Sequence, residues 1–401
     1  MNILFLTLVI SDDITERGIY NDLMRKFRDE GHQVYIICPS ERRLKKKSSL
    51  TKKDGITIIK IKWFNIQKCN SIEKGISTLF LDNLFVWSIK KYLHQVKFDL
   101  VLYSTPPITF EKSLEFIKRR DNVSTYLLLK DIFPQNAVDM GLIKKNSIIY
   151  RYFRKKEKRL YQLSDNIGCM SQANVDYLLN KNKFIDPSKV EVNPNSLEPV
   201  DLHVNEEEIK QIKEKFKIPD NKFILLYGGN LGVPQGIDFL IQVLDSNKSN
   251  SDLFFLIIGS GTTLNDLLVW FKNNNPANCL IIKELPKNEY DKIVQIADVG
   301  LIFLDKNFTI PNFPSRLLSY LENKIPVLLA TDLVSDMGKI AEENNFGFWS
   351  ASGDLESFNM NITRLKTNNH LVERMGELGY QYFIKNFTTV NSYKIIMNHF
   401  N

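Results

Sequence analysis

The stretch ILLYGGNLGVPQGIDFLIQVL, residues 224–244, sets Gly228, Gly229, Gly232 and Gly236 between an apolar run and a second apolar segment with helical spacing. Glycine inside an ordered element costs up to ~1 kcal/mol relative to alanine. Four glycines in one short connection therefore imply a need for bare backbone: a strand ends, main chain passes close to something, and a helix begins. A second connection repeats the arrangement. LFFLIIGSGTTLNDLL (253–268) runs from an apolar segment through Gly259, Ser260 and Gly261 to Thr262 and Thr263 ahead of a helical pattern. In a doubly wound sheet, ligands sit at the carboxyl ends of the strands, and helix N-termini with free N–H groups attract phosphate. The pattern is neither G-x-G-x-x-G nor a P-loop, so neither a dinucleotide nor a Walker-type nucleotide is indicated. Tight strand-to-helix packing alone also accounts for the glycines of the first stretch, and that alternative stays open at this point.

A third segment, IPNFPSRLLSYLENKIPVLLA (310–330), starts a helix at Pro314 and Ser315, with Ser315 near the N-cap and Arg316 in the first turn. The planar fork of arginine suits a phosphate. A plain surface charge is the alternative; beside two Gly-rich connections, a diphosphate contact is the reading adopted.

Working outward, short apolar runs alternate with helical stretches. Strands are predicted at 2–10, 33–39, 55–61, 98–104, 123–129, 165–171 and 190–196, with helices at 19–31, 76–95, 110–119 and 173–180 among them. The segment 197–222 is polar, has Pro199 near its start and Pro219 near its end, and reads as a linker with a short surface helix. Alternation then restarts with strands at 222–228, 253–259, 279–284, 299–304 and 325–330, and a last helix at about 389–400. This pattern predicts two α/β units with doubly wound parallel sheets: residues 1–198, residues 199–385, and a C-terminal helical segment, 386–401, returning toward the first.

At 401 residues the chain exceeds one ordinary core. Its four cysteines (Cys38, Cys69, Cys169, Cys279) have no metal-ligand spacing and read as reduced structural thiols. The start, MNILFLTLVI, lacks the basic region of a signal peptide and reads as a strand. No apolar run reaches the ~20 residues that span a bilayer. Residues 1–200 hold 34 Lys and Arg against 22 Asp and Glu, a net +12, while the remainder is net −5 within a total of +7. The excess concentrates in ERRLKKKSSLTKKD (41–54) and YRYFRKKEKRLYQL (150–163). The second mixes Tyr150, Tyr152, Phe153, Leu160 and Tyr161 with six cations, and reads as an interfacial helix on an anionic membrane. WFNIQKCN and the apolar helix after it add a possible hydrophobic contact. A solvated surface is the plain alternative, and no nucleic-acid motif accompanies the charge.

GGNLG, IGSG, Ala297-Asp298 before VGLIFL, and Lys324-Ile325-Pro326-Val327, in that order, resemble the second domain of family 4 glycosyltransferases of GT-B fold. GIYNDLMRKFRDEGHQVYIICP and the Asp131, Phe133, Pro134 segment of LLLKDIFPQNAVDMG resemble the first domain, in the subgroup that builds bacterial O-antigens and capsules. The resemblance implies a retaining, metal-independent transfer of sugar from a nucleotide-diphosphate donor, with UDP the expected nucleotide, to a polyprenyl-diphosphate-linked acceptor. It implies a cytoplasmic protein lying on the inner face of the plasma membrane. Arg316, Lys130 and Asp131 become the expected catalytic residues. Gly229, Asn230, Gly232, Gly259, Gly261, Lys283, Pro314, Ser315 and Ser319 join Arg316 around the donor, with the backbone of Gly229, Gly232 and Gly261 donating to phosphate.

Three departures from the family pattern stand out. Its two helix glutamates are Pro311 and Ser319 here, with Glu322 three residues further on. The Arg and Lys flanking its first Gly loop are Asn230 and Gln235, and its histidine after the strand ending at Leu129 is Lys130. These losses leave two rival readings: a non-catalytic GT-B partner subunit, and a UDP-sugar 2-epimerase. The five histidines (His32, His94, His203, His370, His399) fall in helix ends, linker or tail and read as structural.

Overall fold

Ile3, Leu4, Phe5 and Leu6 are all fully buried, as a strand covered on both faces requires. They form β1 (Asn2–Leu6), which is shorter than the strand expected over residues 2–10. Past Thr7 the chain turns into a loop, and Asn21 Oδ1 accepts from the Ser11 N–H at 3.5 Å. The computed structural model describes residues 1–66, 69, 71–200 and 204–400. The end of the WFNIQKCN segment and His203 lie outside the described residues.

Two units form. The first comprises Met1–Glu198 and Thr389–Asn401, the second Pro199–Thr388. In the first, β1 is followed by α1 (Ile19–Asp29), β2 (Gln33–Glu41), β3 (Ser49–Lys53), β4 (Ile56–Trp63), α2 (Ser71–Tyr92), β5 (Leu100–Ser104) and α3 (Glu111–Asp121). Then come β6 (Ser124–Leu129), α4 (Gln135–Asp139), α5 (Ile148–Leu163), β7 (Asn166–Cys169), α6 (Gln172–Lys181) and β8 (Val190–Val192). Its sheet order is β3-β4-β2-β1-β5-β6-β7-β8. Every pair is parallel except β3 with β4. Strand β3 was not foreseen: SLTKK is fully exposed and carries no apolar alternation. It pairs at the sheet edge, where a polar strand needs no covering face.

The second unit runs α7 (Glu206–Phe216), β9 (Phe223–Gly228), α8 (Ile237–Asn247), β10 (Leu253–Ile258), α9 (Leu264–Asn274), β11 (Cys279–Ile282), α10 (Lys287–Val294) and β12 (Val299–Phe303). It continues through α11 (Arg316–Glu322), β13 (Val327–Thr331), α12 (Met337–Glu343), β14 (Gly347–Ala351), α13 (Leu355–Lys366) and α14 (Asn369–Asn386). Its sheet, β11-β10-β9-β12-β13-β14, is wholly parallel. Chain order reverses between β9 and β12, so the crevice that a doubly wound sheet offers to ligands lies at their carboxyl ends.

The last helix, α15 (Thr389–Met397), belongs to the first unit. Ile396 is fully buried there, the Tyr393 ring lies 5.0 Å from that of Phe27, and His32 Nε2 is 3.0 Å from the Tyr393 hydroxyl. Thr389 N–H donates to the carbonyl of Leu197 at 3.1 Å, so the outgoing and returning chain segments are hydrogen-bonded side by side.

Candidate active site

The two Gly-rich connections of the second unit are zipped together. Leu231 N–H donates to Ser260 O at 3.0 Å, and Thr263 N–H and hydroxyl both donate to Leu231 O, at 3.0 and 2.9 Å. A Cβ on residue 259 would fall 1.8 Å from Gly229 O, and one on residue 261 would fall 2.0 Å from Leu231 O. Glycine is present at 259 and 261 because two backbones touch there. This corrects part of the expected phosphate cradle. The Gly229 N–H is taken by Ile258 O at 2.8 Å, and the Gly232 N–H by Gln235 Oε1 at 3.2 Å. The N–H groups of Ser260, Gly261 and Thr262, just ahead of α9, make no hydrogen bond to protein among the described residues. Of the expected donors, Gly261 alone keeps an open N–H.

Arg316, the first residue of α11, reaches back over this junction. Its guanidinium carbon lies 4.3 Å from the centre of the Tyr227 ring, and Nη2 donates to Asn230 O at 3.4 Å. Gly229 makes room, since a Cβ there would stand 3.4 Å from the guanidinium. Nη1 is buried and has no hydrogen-bond partner, and no carboxylate pairs with Arg316 among the described residues. Its titratable neighbours are instead three phenols, Tyr227, Tyr290 and Tyr320. Burial raises the pKa of each, that of Tyr290 to about 12, so all three stay neutral. Tyr320 is fully buried; its hydroxyl accepts from Gly228 N–H at 3.0 Å and donates to Leu226 O at 3.1 Å. The Tyr227 hydroxyl donates to Asn230 O at 2.6 Å. The site is thus a cation with no carboxylate partner among the described residues, held on the face of the Tyr227 ring.

The other expected donor-binding residues divide. Asn230 and Gln235, standing where the family has cations, pair with each other: Asn230 Nδ2 donates to Gln235 Oε1 at 2.7 Å. Ser315 occupies the N-cap of α11 after Pro314, but its side chain makes no capping bond. Ser319 is half-buried one turn along, and its side chain hydrogen-bonds Tyr290. Glu322 is no substitute for the missing glutamate; it is buried and accepts from Val200 N–H at 3.2 Å. Lys283 stands exposed past β11, and no contact joins it to Arg316 among the described residues.

In the first unit, Lys130 and Asp131 follow β6. Thr105 Oγ1 accepts from both of their N–H groups, at 3.0 and 3.2 Å, and donates to Asp131 O at 3.1 Å. Asn136 Nδ2 donates to Asp131 Oδ2 at 2.6 Å. Lys130 Nζ donates to Asn193 O at 2.9 Å, and burial lowers its pKa to about 7. The Asn193 side chain is itself fixed, donating to Tyr126 Oη at 3.0 Å and accepting from Ser392 Oγ of α15 at 2.8 Å. Sequence reasoning missed Thr105, Asn136, Asn193 and Ser392. Their types are common in turns, and only strand order brings them to Lys130 and Asp131. His399, read as structural, is 2.8 Å from Glu191.

The basic segments hold fewer free charges than their composition suggested. In α5, Arg154 pairs with Glu157, Lys156 with Glu111 and Arg159 with Glu115, at 2.5, 2.5 and 2.6 Å. Leu160 and Tyr161, counted as membrane anchors, are buried in the core. In 41–54, Lys46 pairs with Asp12, and Arg43 with Glu41 at 2.6 Å.

Comparison with known proteins matches residues 19–200 to the Glycosyltransferase Family 4 model and residues 208–382 to the group 1 glycosyl transferase model. The "Probable glycosyltransferase WbjE" of Pseudomonas aeruginosa is 24% identical over 280 residues, 69% of this chain and 68% of that one. The "Putative colanic acid biosynthesis glycosyl transferase WcaI" of Escherichia coli K12 is 21% identical over 250 residues, 61% of this chain and 60% of that one. Among solved structures, HepE of Anabaena in complex with UDP superposes with a TM-score of 0.69 at 14% identity, over 100% of this chain and 99% of that one.

Proposed function

This chain is a family 4 glycosyltransferase of GT-B fold, and on that premise we propose that it moves a sugar from a nucleotide-diphosphate donor to a lipid-linked saccharide in cell-surface polysaccharide synthesis. The observation that carries the donor reading is Arg316 Nη1, a buried cationic N–H group with no partner. Leaving such a group unsatisfied costs ~1–3 kcal/mol or more, and the donor's diphosphate supplies the missing acceptor and the missing charge. UDP is the nucleotide favoured, by likeness to HepE, which was solved with it. The polysaccharide role follows the likeness to WcaI.

In this reading the hard step is departure of the diphosphate as an oxocarbenium-like sugar forms. Arg316 and the open N–H groups of residues 260–262 meet the charge that builds on the leaving group. These dipoles are fixed in advance by Tyr227, Asn230 and Leu231, so little reorganisation accompanies the reaction. The acceptor hydroxyl approaches Asp131, Lys130 assists the phosphates in its cationic form, and the sugar keeps its anomeric configuration. No metal takes part, and the enzyme works at the inner face of the plasma membrane.

Thermal-shift titration against UDP-, GDP- and dTDP-sugars tests the donor assignment. A donor at 100 times its Kd adds ~2.7 kcal/mol of stability. Wild-type protein stabilised by one donor series, and an Arg316→Ala protein that is not, is the expected result. A chain that none of the donors stabilises or that hydrolyses none of them sinks the proposal.

A further inference from the structure

We propose that the outer face of α2, with its junction to α3, is the surface by which this protein lies on an anionic lipid bilayer; the inference rests on the reading that its acceptor is held in a membrane. Helix α2 is apolar on both sides. Leu81, Leu84, Phe85 and Ile89 pack inward, whereas Leu79, Phe80 and Trp87 point outward and are 46%, 52% and 46% exposed. A helix hydrophobic all round is normally covered on every side. The outward stripe continues through exposed Asn83 to Lys90 and Lys91. Lys91 Nζ lies 4.7 Å from the centre of the Trp87 ring, and Lys90 Nζ lies 5.0 Å from that of Phe116 on α3.

Beside this ridge, Lys112, Phe116, Arg119 and Arg120 line a hollow together with Glu115. Glu115 is engaged by Arg159 at 2.6 Å and by Arg119 at 3.4 Å, and the Arg119 side chain remains 81% exposed. Arg120 is paired with Asp121 at 2.6 Å, and an apolar ridge flanked by Lys90 and Lys91, next to a hollow lined by Lys112 and Arg119, is complementary to a bilayer interface. Aromatic and aliphatic groups enter the acyl boundary while cations meet anionic headgroups. The net +12 of residues 1–200 draws the first unit as a whole to a negative surface. Helix α5 suits this role less, because Arg154, Lys156 and Arg159 are paired with Glu157, Glu111 and Glu115, and Leu160 and Tyr161 are in the core. Among the described residues no helix is long and apolar enough to cross a membrane, so this contact is a peripheral one.

Flotation of the full chain with two kinds of vesicle tests the assignment: phosphatidylcholine alone, and phosphatidylcholine with about one third phosphatidylglycerol. Wild-type protein is expected to float with the anionic vesicles, less so at high salt, and to float little with the neutral ones. Phe80→Ser/Trp87→Ser is expected to weaken binding at least about tenfold. Lys90→Gln/Lys91→Gln/Arg119→Gln should weaken it and flatten its salt dependence. Ile148→Ser/Ile149→Ser, on exposed positions of α5, should bind as wild type. If the paired serine variant fails to fold, the three-glutamine variant decides alone, since its side chains are at the surface.

The assignment falls if wild type does not float, if the α2 variants bind as wild type, or if the α5 variant loses binding instead. It falls equally if wild type sediments as a dimer that Phe80→Ser/Trp87→Ser converts to monomer, because a second copy would then be what covers the ridge. Donor hydrolysis without lipid is read separately: its absence in wild type counts against the transferase reading, whereas normal hydrolysis with no flotation counts against the surface alone.

Discussion

Arg316 rests its guanidinium 4.3 Å above the Tyr227 ring, and the hydroxyl of that same tyrosine is fixed to Asn230 O at 2.6 Å. One side chain therefore does two things: its ring holds the cation, and its hydroxyl holds the loop on which the cation also leans. Arg316→Ala is expected to lower transfer at least about 100-fold, the cost of losing one preorganised donor to the leaving group. Tyr227→Leu removes a cation–π contact of ~0.5–2 kcal/mol, so it should slow transfer by a smaller factor, while Tyr227→Phe keeps the ring and falls between. Steady-state rates with a saturating donor give the order. An Arg316→Ala enzyme with near-normal turnover removes Arg316 from the mechanism.

On the proposed mechanism, Lys130 ties activity to pH with a sign opposite to its effect on stability. Burial holds its ammonium at a pKa of about 7, against 10.5 when exposed. Between those values the unfolded chain binds the proton that the folded chain has lost, so stability rises with pH across that window. In the proposed mechanism the phosphate-assisting form is the cation, so transfer should fall as pH rises through about 7. Lys130→Met should abolish both slopes, seen in urea titrations and rate profiles measured across the same pH range. Rates and stability that decline together would point to unfolding rather than to Lys130.

Gly259 and Gly261 admit no Cβ, since each would place one within about 2 Å of a carbonyl oxygen on the neighbouring loop. Gly259→Ala and Gly261→Ala are each expected to destabilise the protein by ~1–3 kcal/mol, the usual cost of overpacking. They should also weaken donor binding, because the same displacement moves Asn230 and Gly229 under Arg316. Chemical denaturation together with donor titration checks both effects. A stable Gly261→Ala protein with unchanged donor affinity would mean that the loops separate freely.

Ser392 anchors α15 to the strand ends through Asn193. Ser392→Ala leaves the Asn193 Oδ1 buried without that donor and should cost ~1–3 kcal/mol. Ser392→Thr, which keeps the hydroxyl, should restore part of it. Equal stability of the alanine and threonine proteins would show that the hydroxyl plays no part in holding the helix.

Much of the fold was legible because the two sheets are parallel and buried on both faces. Strands such as β1, β9 and β10 have to be continuous apolar runs, and helices between them have to show one apolar stripe. The exceptions lie where that rule does not apply. Strand β3 pairs at an edge and is exposed throughout, and β14, GFWSA, is only half-buried along its length. The extra turn of α2 before residue 76 and the early end of β1 are boundary shifts. The last helix was placed by its periodicity, though the return to the first unit begins at Thr389, three residues later than expected.

The sequence by itself determined the architecture, the two Gly-rich strand ends and the place of Arg316 at the start of a helix, since apolar runs, glycine spacing and a helix start are local patterns. Tertiary structure alone decided what those glycines do. The Gly229 and Gly232 N–H groups are hydrogen-bonded inside the protein, and the phenols around Arg316, Tyr227, Tyr290 and Tyr320, come from β9, α10 and α11. The same holds for Lys130, whose shifted titration arises from burial against Asn193 O, 63 residues away. A pattern along the chain records what each residue can do; whether a donor is free or a charge is uncompensated depends on neighbours that only strand order brings together.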